Sequence, residues 1–160
     1  MSKLIGAELP DDLFRWLSEG LETNAEKVIL VCTIDEEGWP HPAMLSCLEV
    51  VAKNRGNIRL APYKNSSTTW NMRRNGKLTM MVIDERVAYY ITGSVEELAR
   101  DMKCSSHVSK LNMKVEQVQT DQADEQIESG VCVASAPTYK DPNLAARIAE
   151  ARGVLRELLD

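Results

Sequence analysis

The chain predicts a mainly β protein with flanking helices, an antiparallel barrel or sandwich. Three observations carry that reading. Strand-like runs follow one another from residue 27 to residue 98 with only tight turns between them. One short helical stretch, closed by Asn75-Gly76, interrupts that series, and helical patterns stand before and after it. Neither a Gly-x-Gly-x-x-Gly turn nor the strand–helix alternation of a parallel doubly wound sheet is present. The 160 residues predict one domain over 1–160, with an N-terminal helix at about 10–19, a barrel at about 26–120 and a C-terminal helix at about 142–159.

Each element has its own signal. Pro10 suits a first helical turn, Asp11 and Asp12 complement the dipole, and Leu13, Trp16 and Leu17 form an apolar stripe that Gly20 stops. Lys27 to Asp35 is β-branched and almost continuously apolar, as in a strand covered on both faces. Glu36-Glu37-Gly38 is turn chemistry. Pro40 and Pro42 confine residues 40–42 to an edge or a bend, and Ala43 to Ala52 reads as one further strand. Asn54 to Asn57 turns the chain again. The run from Ile58 to Ile83 reads as strand, polar turn, short helix, glycine stop and strand. Val87 to Leu98 is a long strand in which Gly93 marks a bulge or a close backbone approach. Residues 100–112 fit either a loop or one helical turn, and Leu111 to Gln119 alternates as a half-exposed strand. Thr120 to Gly130 is a polar connector, and Gly130 to Ser135 reads as a short strand or an extended segment. Asp141-Pro142 predicts a capped helix start, and Leu144, Ile148, Ala151, Leu155 and Leu158 then repeat at helical spacing.

Composition narrows the function. The net charge of −5 and the scattered basic residues give no footprint for nucleic acid or an acidic membrane. No apolar run approaches a signal peptide or a membrane span. Cys32, Cys47, Cys104 and Cys132 are widely spaced and only His41 and His107 accompany them, which argues against zinc and suits a reducing cytoplasm.

The stretch Lys64-Asn-Ser-Ser-Thr-Thr69 stands where a strand hands over to a helix. Two compatible readings fit it. Helix-start amides carry partial positive charge and can seat an anion, and Ser and Thr are also favoured simply as N-caps. Trp70 suits core or interface packing, Arg73-Arg74 a solvated helix face, and Tyr89 and Tyr90 opposite faces of one strand. No residue stands out as general acid, base or nucleophile.

Taken in order, several pieces form a set: Val28 to Pro42, Met44 to Leu48, Leu60 to Gly76 with Asn71-Met-Arg-Arg-Asn-Gly76, Lys77 to Val82, and Tyr89-Tyr-Ile-Thr-Gly93-Ser-Val-Glu96. This set resembles the pyridoxamine 5′-phosphate oxidase-like family of FMN-binding split barrels, over roughly Glu26 to Asp121. The resemblance implies an antiparallel split β-barrel. It implies a homodimer that holds FMN at its subunit interface and takes a small-molecule substrate. Within it, Ser46, Cys47 and Leu48 match the strand beside the flavin ring and ribityl chain. Lys64, Ser66, Ser67, Thr68 and Thr69 match the phosphate turn, with Asn71 facing the same cavity. The implied function is a flavoprotein oxidoreductase passing hydride or electrons through the flavin, the alternative being a non-catalytic flavin- or haem-binding or sensing dimer. Deazaflavin and haem are the other cofactors of the fold. One departure is specific: where the oxidases carry Ser-Arg-Lys, this chain has Ser66, Ser67 and Thr68, and a strand arginine is matched by Ser46. Pyridoxamine phosphate oxidation itself is therefore not expected.

Overall fold

A computed structural model describes residues 1–160, the side chain of Leu21 aside. In chain order the elements are β1 (Ser2–Gly6), α1 (Asp11–Ser18), α2 (Leu21–Asn24), β2 (Val28–Ile34), β3 (Pro40–Ser46), β4 (Val50–Asn54), β5 (Asn57–Leu60), α3 (Ser67–Asn75), β6 (Lys77–Asp84), β7 (Val87–Ala99), β8 (Lys110–Asp121) and α4 (Leu144–Leu159). Every strand pairing is antiparallel. The order across the 8-stranded sheet is β3-β2-β6-β7-β8-β5-β4, with β1 paired to β8 off that path. The two ends of this path, β3 and β4, are consecutive in the chain and joined only by a 3₁₀ turn, Cys47–Glu49. That short joint forces the sheet to curl on itself.

Period-two alternation decides which side chains enter the barrel. Along β4, Val50 and Ala52 join the main core while Val51 between them faces outward into a second cluster. The main core also takes Ile29 and Val31 of β2, Ile58 and Leu60 of β5, Met80 of β6, Ile91 of β7 and Met113 of β8. The second cluster sets Leu155 and Leu158 of α4 against Val51, Ala61, Met102 and Val108. Fully burying a leucine contributes roughly 1.5–3 kcal/mol, so these two side chains are the main anchors of α4.

Helix α1 plugs the barrel. Leu13 and Leu17 reach the main core, and Leu9 just before the helix does the same. A polar clamp fixes its orientation: Trp16 Nε1 donates to Asp84 at 2.6 Å, Lys27 Nζ donates to the same carboxylate at 2.7 Å, and Tyr89 donates to Asp12.

Where sequence and structure differ, the cause is specific. The strand expected over 43–52 is broken after Ser46 by the 3₁₀ turn. The C-terminal helix begins at Leu144, not at Asp141-Pro142, because Asp141 Oδ1 accepts the Asn143 N–H at 2.8 Å and Oδ2 pairs with Arg147 at 3.2 Å. Residues 130–135 form no strand; only Val133 O, accepting the Arg86 N–H, ties them to the barrel. Trp70 is 51% exposed and so is not a core residue of this chain. Two elements carried no sequence expectation, β1 and α2. At Gly93 the β7–β8 register shifts, and a Cβ there would collide with the Lys114 carbonyl oxygen.

The clamp on Asp84 makes a pH-dependent prediction. Burial pulls this carboxyl upward, but hydrogen bonds from Lys27, the Glu85 N–H and Trp16 outweigh it and hold it below the ordinary value. A depressed carboxyl stabilises the fold above its unfolded pKa, and that contribution is lost as pH falls through the folded value. Asp84→Asn is expected to cost about 2 kcal/mol in urea unfolding at pH 7. The gap to the wild type should close as pH drops below about 4.

Candidate functional site

The site grows from the joint that ends β3. Ser46 Oγ accepts the Leu48 N–H at 3.0 Å, and Glu49 Oε2 accepts the Ser46 N–H at 2.7 Å, a reciprocal capping box. Burial pushes the Glu49 carboxyl above its usual value, against the Ser46 N–H and the charge of Arg147. Ser46 is thereby held at the rim of the barrel, where β3 leaves the sheet.

The second wall is the turn into α3. Ser66 caps the helix by accepting the Thr69 N–H at 3.2 Å, and Thr69 Oγ1 donates to Tyr63 O at 2.8 Å. Gly76 ends the helix in the left-handed region at φ 65°. The Ser67 and Thr68 amides sit in the first helical turn, where no intrahelical acceptor exists, and no other acceptor meets them among the described residues.

The third wall is the segment leading to α4. It is tied to the start of β2 through Val28 N–H to Pro137 O at 2.9 Å and Tyr139 N–H to Glu26 O at 2.7 Å. It carries Tyr139, Lys140 and Asp141 to the site, and the first turns of α4 add Leu144 and Arg147.

These walls enclose a cavity of about 540 Å³. Ser46, Ser66 and Thr68 form its hydroxyl face, and Tyr63 and Tyr139 supply aromatic surface. Its charged groups are Glu26, Glu49 and Asp141 against Lys140 and Arg147. Neither His41 nor His107 lines it. Among the described residues no cluster of three or more His, Cys, Asp or Glu is placed to hold a metal ion, and no helix is long and apolar enough to cross a membrane.

Of the residues singled out in the sequence, Ser46, Ser66 and Thr68 meet on this cavity. The others do not line it. Cys47 turns into the barrel core, where burial, opposed by Lys27, pushes its thiol up to about 12. Leu48 packs with Ala25 and Ala151. Both leave the flavin-side strand expected of them because that strand stops at Ser46. Lys64 is ion-paired to Asp101, and its carbonyl accepts from Arg73 at 2.7 Å. Ser67 is exposed on the first turn of α3. Thr69 is fully buried and its hydroxyl is used within the turn. Asn71 Nδ2 donates to Thr33 Oγ1 at 3.0 Å, locking α3 onto β2. Glu49, Tyr63, Tyr139, Lys140 and Arg147 carried no functional expectation; the single local signal near them, Asp141-Pro142, read as a helix start.

Large apolar side chains are exposed on β3 and around α3, and two of them, Met44 and Tyr63, line the cavity. Met44 on the edge strand β3, Trp39 before it, Tyr63 at the cavity mouth and Trp70 on α3 are each more than half exposed, at 60%, 67%, 62% and 51%. The guanidinium groups of Arg73 and Arg100 lie over the Trp70 ring at 5.0 and 5.7 Å.

No family model matches the chain. The curated protein YclD of Bacillus subtilis (strain 168) is 36% identical over 84 residues, which are 52% of this chain and 54% of YclD, so the chain spans about half the length of that relative. Among solved structures, a candidate pyridoxamine 5′-phosphate oxidase from Lactobacillus delbrueckii superposes with a TM-score of 0.59 at 16% identity, over 74% of this chain and 98% of that one. HupZ of Group A Streptococcus gives 0.53 at 14% identity, over 65% and 90% of the two chains. A candidate 5-nitroimidazole antibiotic resistance protein from Bacteroides thetaiotaomicron gives 0.50 at 13%, over 75% and 87%. With its curled antiparallel sheet and flanking helices, the chain has the split-barrel fold of the pyridoxamine 5′-phosphate oxidase-like proteins.

Proposed function

We propose that the chain is an FMN-binding flavoprotein, an oxidoreductase that passes hydride or electrons between a small molecule and the flavin. The observation that carries this is the meeting of Ser46 with Ser66 and Thr68, at the start of α3, on one cavity. Its volume, about 540 Å³, is in the range of small-molecule sites. The flavin supplies the redox chemistry when bound, and the protein supplies binding, orientation and electrostatics. The phosphate end fits the start of α3, where the Ser67 and Thr68 N–H groups and the Thr68 hydroxyl are donors. Ser46 presents a hydroxyl across the same cavity, and Tyr63 and Tyr139 flank it. This seat is neutral: Lys64 is committed to Asp101, and Arg73 to Glu97, Ser109 and the Lys64 carbonyl.

The active unit in this reading is a homodimer. Met44 and Tyr63, both lining the cavity and more than half exposed, bring apolar surface to its mouth, where a second copy would cover it and close the site. The four unpaired cysteines support residence in a reducing cytoplasm. For haem the cavity offers no histidine, which favours a flavin.

Titration of the purified protein with FMN, followed by fluorescence quenching, is the test, with riboflavin as the phosphate-free control. Ser66→Ala plus Thr68→Ala is expected to lose about ten-fold or more in FMN affinity and to leave riboflavin affinity unchanged. Unchanged FMN affinity would remove the phosphate seat, and a wild type that binds no FMN would remove the flavin. Bleaching of bound flavin by NADH or NADPH without oxygen separates an enzyme from a carrier.

The two hydroxyls also differ in their expected structural roles. Ser66→Ala deletes the α3 cap and should cost about 1 kcal/mol in urea unfolding. Thr68 Oγ1 has no protein partner among the described residues, so Thr68→Val should hold stability within about 0.5 kcal/mol of the wild type while still weakening FMN.

A further inference from the structure

A second cavity, of about 680 Å³, lies on the outer face of the sheet beside the C-terminal half of α4, and the flavin reading does not use it. Its floor is Arg59. Along β5, Ile58 and Leu60 enter the barrel core, so alternation turns Arg59 outward, between Val51 of β4 and Asn112 of β8. Arg59 Nε and Nη1 are sealed from solvent and meet no acceptor, and Asn112 Oδ1, directly across the ladder, meets no donor. Arg59 as a whole is half-buried, so its third nitrogen, Nη2, is the one open to the cavity, while the two sealed N–H groups lack the acceptors that buried donors ordinarily have.

The surroundings add positive charge. Lys103, Lys110 and Arg156 line the same cavity, from the loop after β7, the start of β8 and α4. None of these four cations is ion-paired among the described residues. The adjacent acid is already committed: Glu157 Oε1 accepts the Lys103 N–H at 2.8 Å and Oε2 the Cys104 N–H at 2.9 Å. Asp160 stands on the rim. Glu96, opposite Asn112 on β7, is exposed and forms no ion pair among the described residues. Lys110 donates to the Glu157 carbonyl at 2.5 Å, an ordinary role for a cation at a helix C-terminus. That role does not account for Arg59, which comes from the sheet and bonds to no helix carbonyl. In a chain of net charge −5, this is a local inversion of sign.

We propose that this concavity binds a multiply charged phosphate group, free or as part of a larger molecule, with Arg59 as its central donor. Phosphate fits better than a carboxylate, because the cations converge from sheet, loop and helix and a phosphate offers acceptor oxygens in several directions. The site is separate from the flavin cavity. Arg147 faces that cavity and Arg156 faces this one, about 14 Å apart along α4.

Pyrophosphate is the probe, with thermal unfolding at low ionic strength and sodium chloride at matched ionic strength as the reference. The wild type is expected to gain about 3 °C or more with pyrophosphate over the chloride reference. Lys103→Gln with Arg156→Gln, both at the cavity edge, should abolish the gain while leaving the anion-free midpoint in place. Arg59→Met should also abolish it, and without the anion should be at least as stable as the wild type, because two buried, unpartnered N–H groups are gone. Thr68→Val should respond as the wild type does. An equal gain with chloride, or a gain kept by the Arg59 or Lys103/Arg156 variants, would overturn the site. So would a gain lost in Thr68→Val, which would place the anion at α3, or an Arg59→Met protein destabilised without anion, which would show that the guanidinium already has its partner.

Discussion

The structure depends on where β3 stops. Its last residue, Ser46, donates its N–H to Glu49 Oε2 and accepts the Leu48 N–H at Oγ, so the chain leaves the strand and turns through Cys47–Glu49 into β4. Because β3 and β4 are the opposite ends of the sheet path, this one turn draws the two ends together. It also sorts three consecutive side chains. Ser46 is left on the cavity, Cys47 goes into the barrel core, and Leu48 goes under α4 beside Ala151. A capping interaction of this kind contributes on the order of 1 kcal/mol, little beside the burial of the core. Its effect is directional: it sets which apolar neighbour faces which cluster.

The same economy governs the charges. The positive groups nearest the start of α3 are used to build the turn that presents its amides. Arg73 donates to the Lys64 carbonyl, to Glu97 and to Ser109, and Lys64 closes on Asp101. Burial opposes a low pKa for Glu97, but the Arg73 hydrogen bond is the larger influence and holds the carboxyl below its ordinary value. A group that anchors a loop in this way is not free to neutralise a ligand. The helix start therefore presents hydroxyl and amide donors to the cavity, while Arg59, Lys103 and Arg156 stand unpaired on the far side of α4. Arg147 on the first cavity is paired with Asp141, whereas the cations on the second have no ion-pair partner among the described residues.

How much of this was legible in the sequence follows from how local each signal is. The helix start at Ser66, its stop at Gly76 and the hairpin of β6 and β7 around Asp84-Glu85-Arg86 are written in neighbouring residues, and the structure has them where the sequence places them. The break at Cys47–Glu49 was hidden, because Ala43 to Ala52 is apolar enough to continue as a strand and only the return of the Glu49 carboxylate to the Ser46 N–H stops it. Asp141-Pro142 misled by a similar mechanism: the aspartate that should cap the helix instead engages Arg147 and the Asn143 N–H. The cavity itself was half visible. Ser46, Ser66 and Thr68 are near one another in the chain, whereas Tyr139 and Arg147 come from its C-terminal part, and no local pattern marks them.

That long return also sets the order in which the molecule can open. The segment between β8 and α4, residues 122–143, has no strand or helix of its own, and its backbone reaches the barrel through Val133, Pro137 and Tyr139. The helix that follows is anchored at its far end, where Leu155 and Leu158 are buried, while Leu144 and Ile148 near its start are only partly covered. Strands β7 and β8, by contrast, stay paired from Ala88 to Ala99. Regions with few backbone hydrogen bonds and little buried apolar surface open at lower free energy than paired strands around a core. The wall made by Tyr139, Lys140 and Asp141 is therefore held by fewer ties than the barrel, while Ser46, Ser66 and Thr68 stand on capped, packed elements. The cavity thus has one face built on capped, packed elements and one built on an irregular segment.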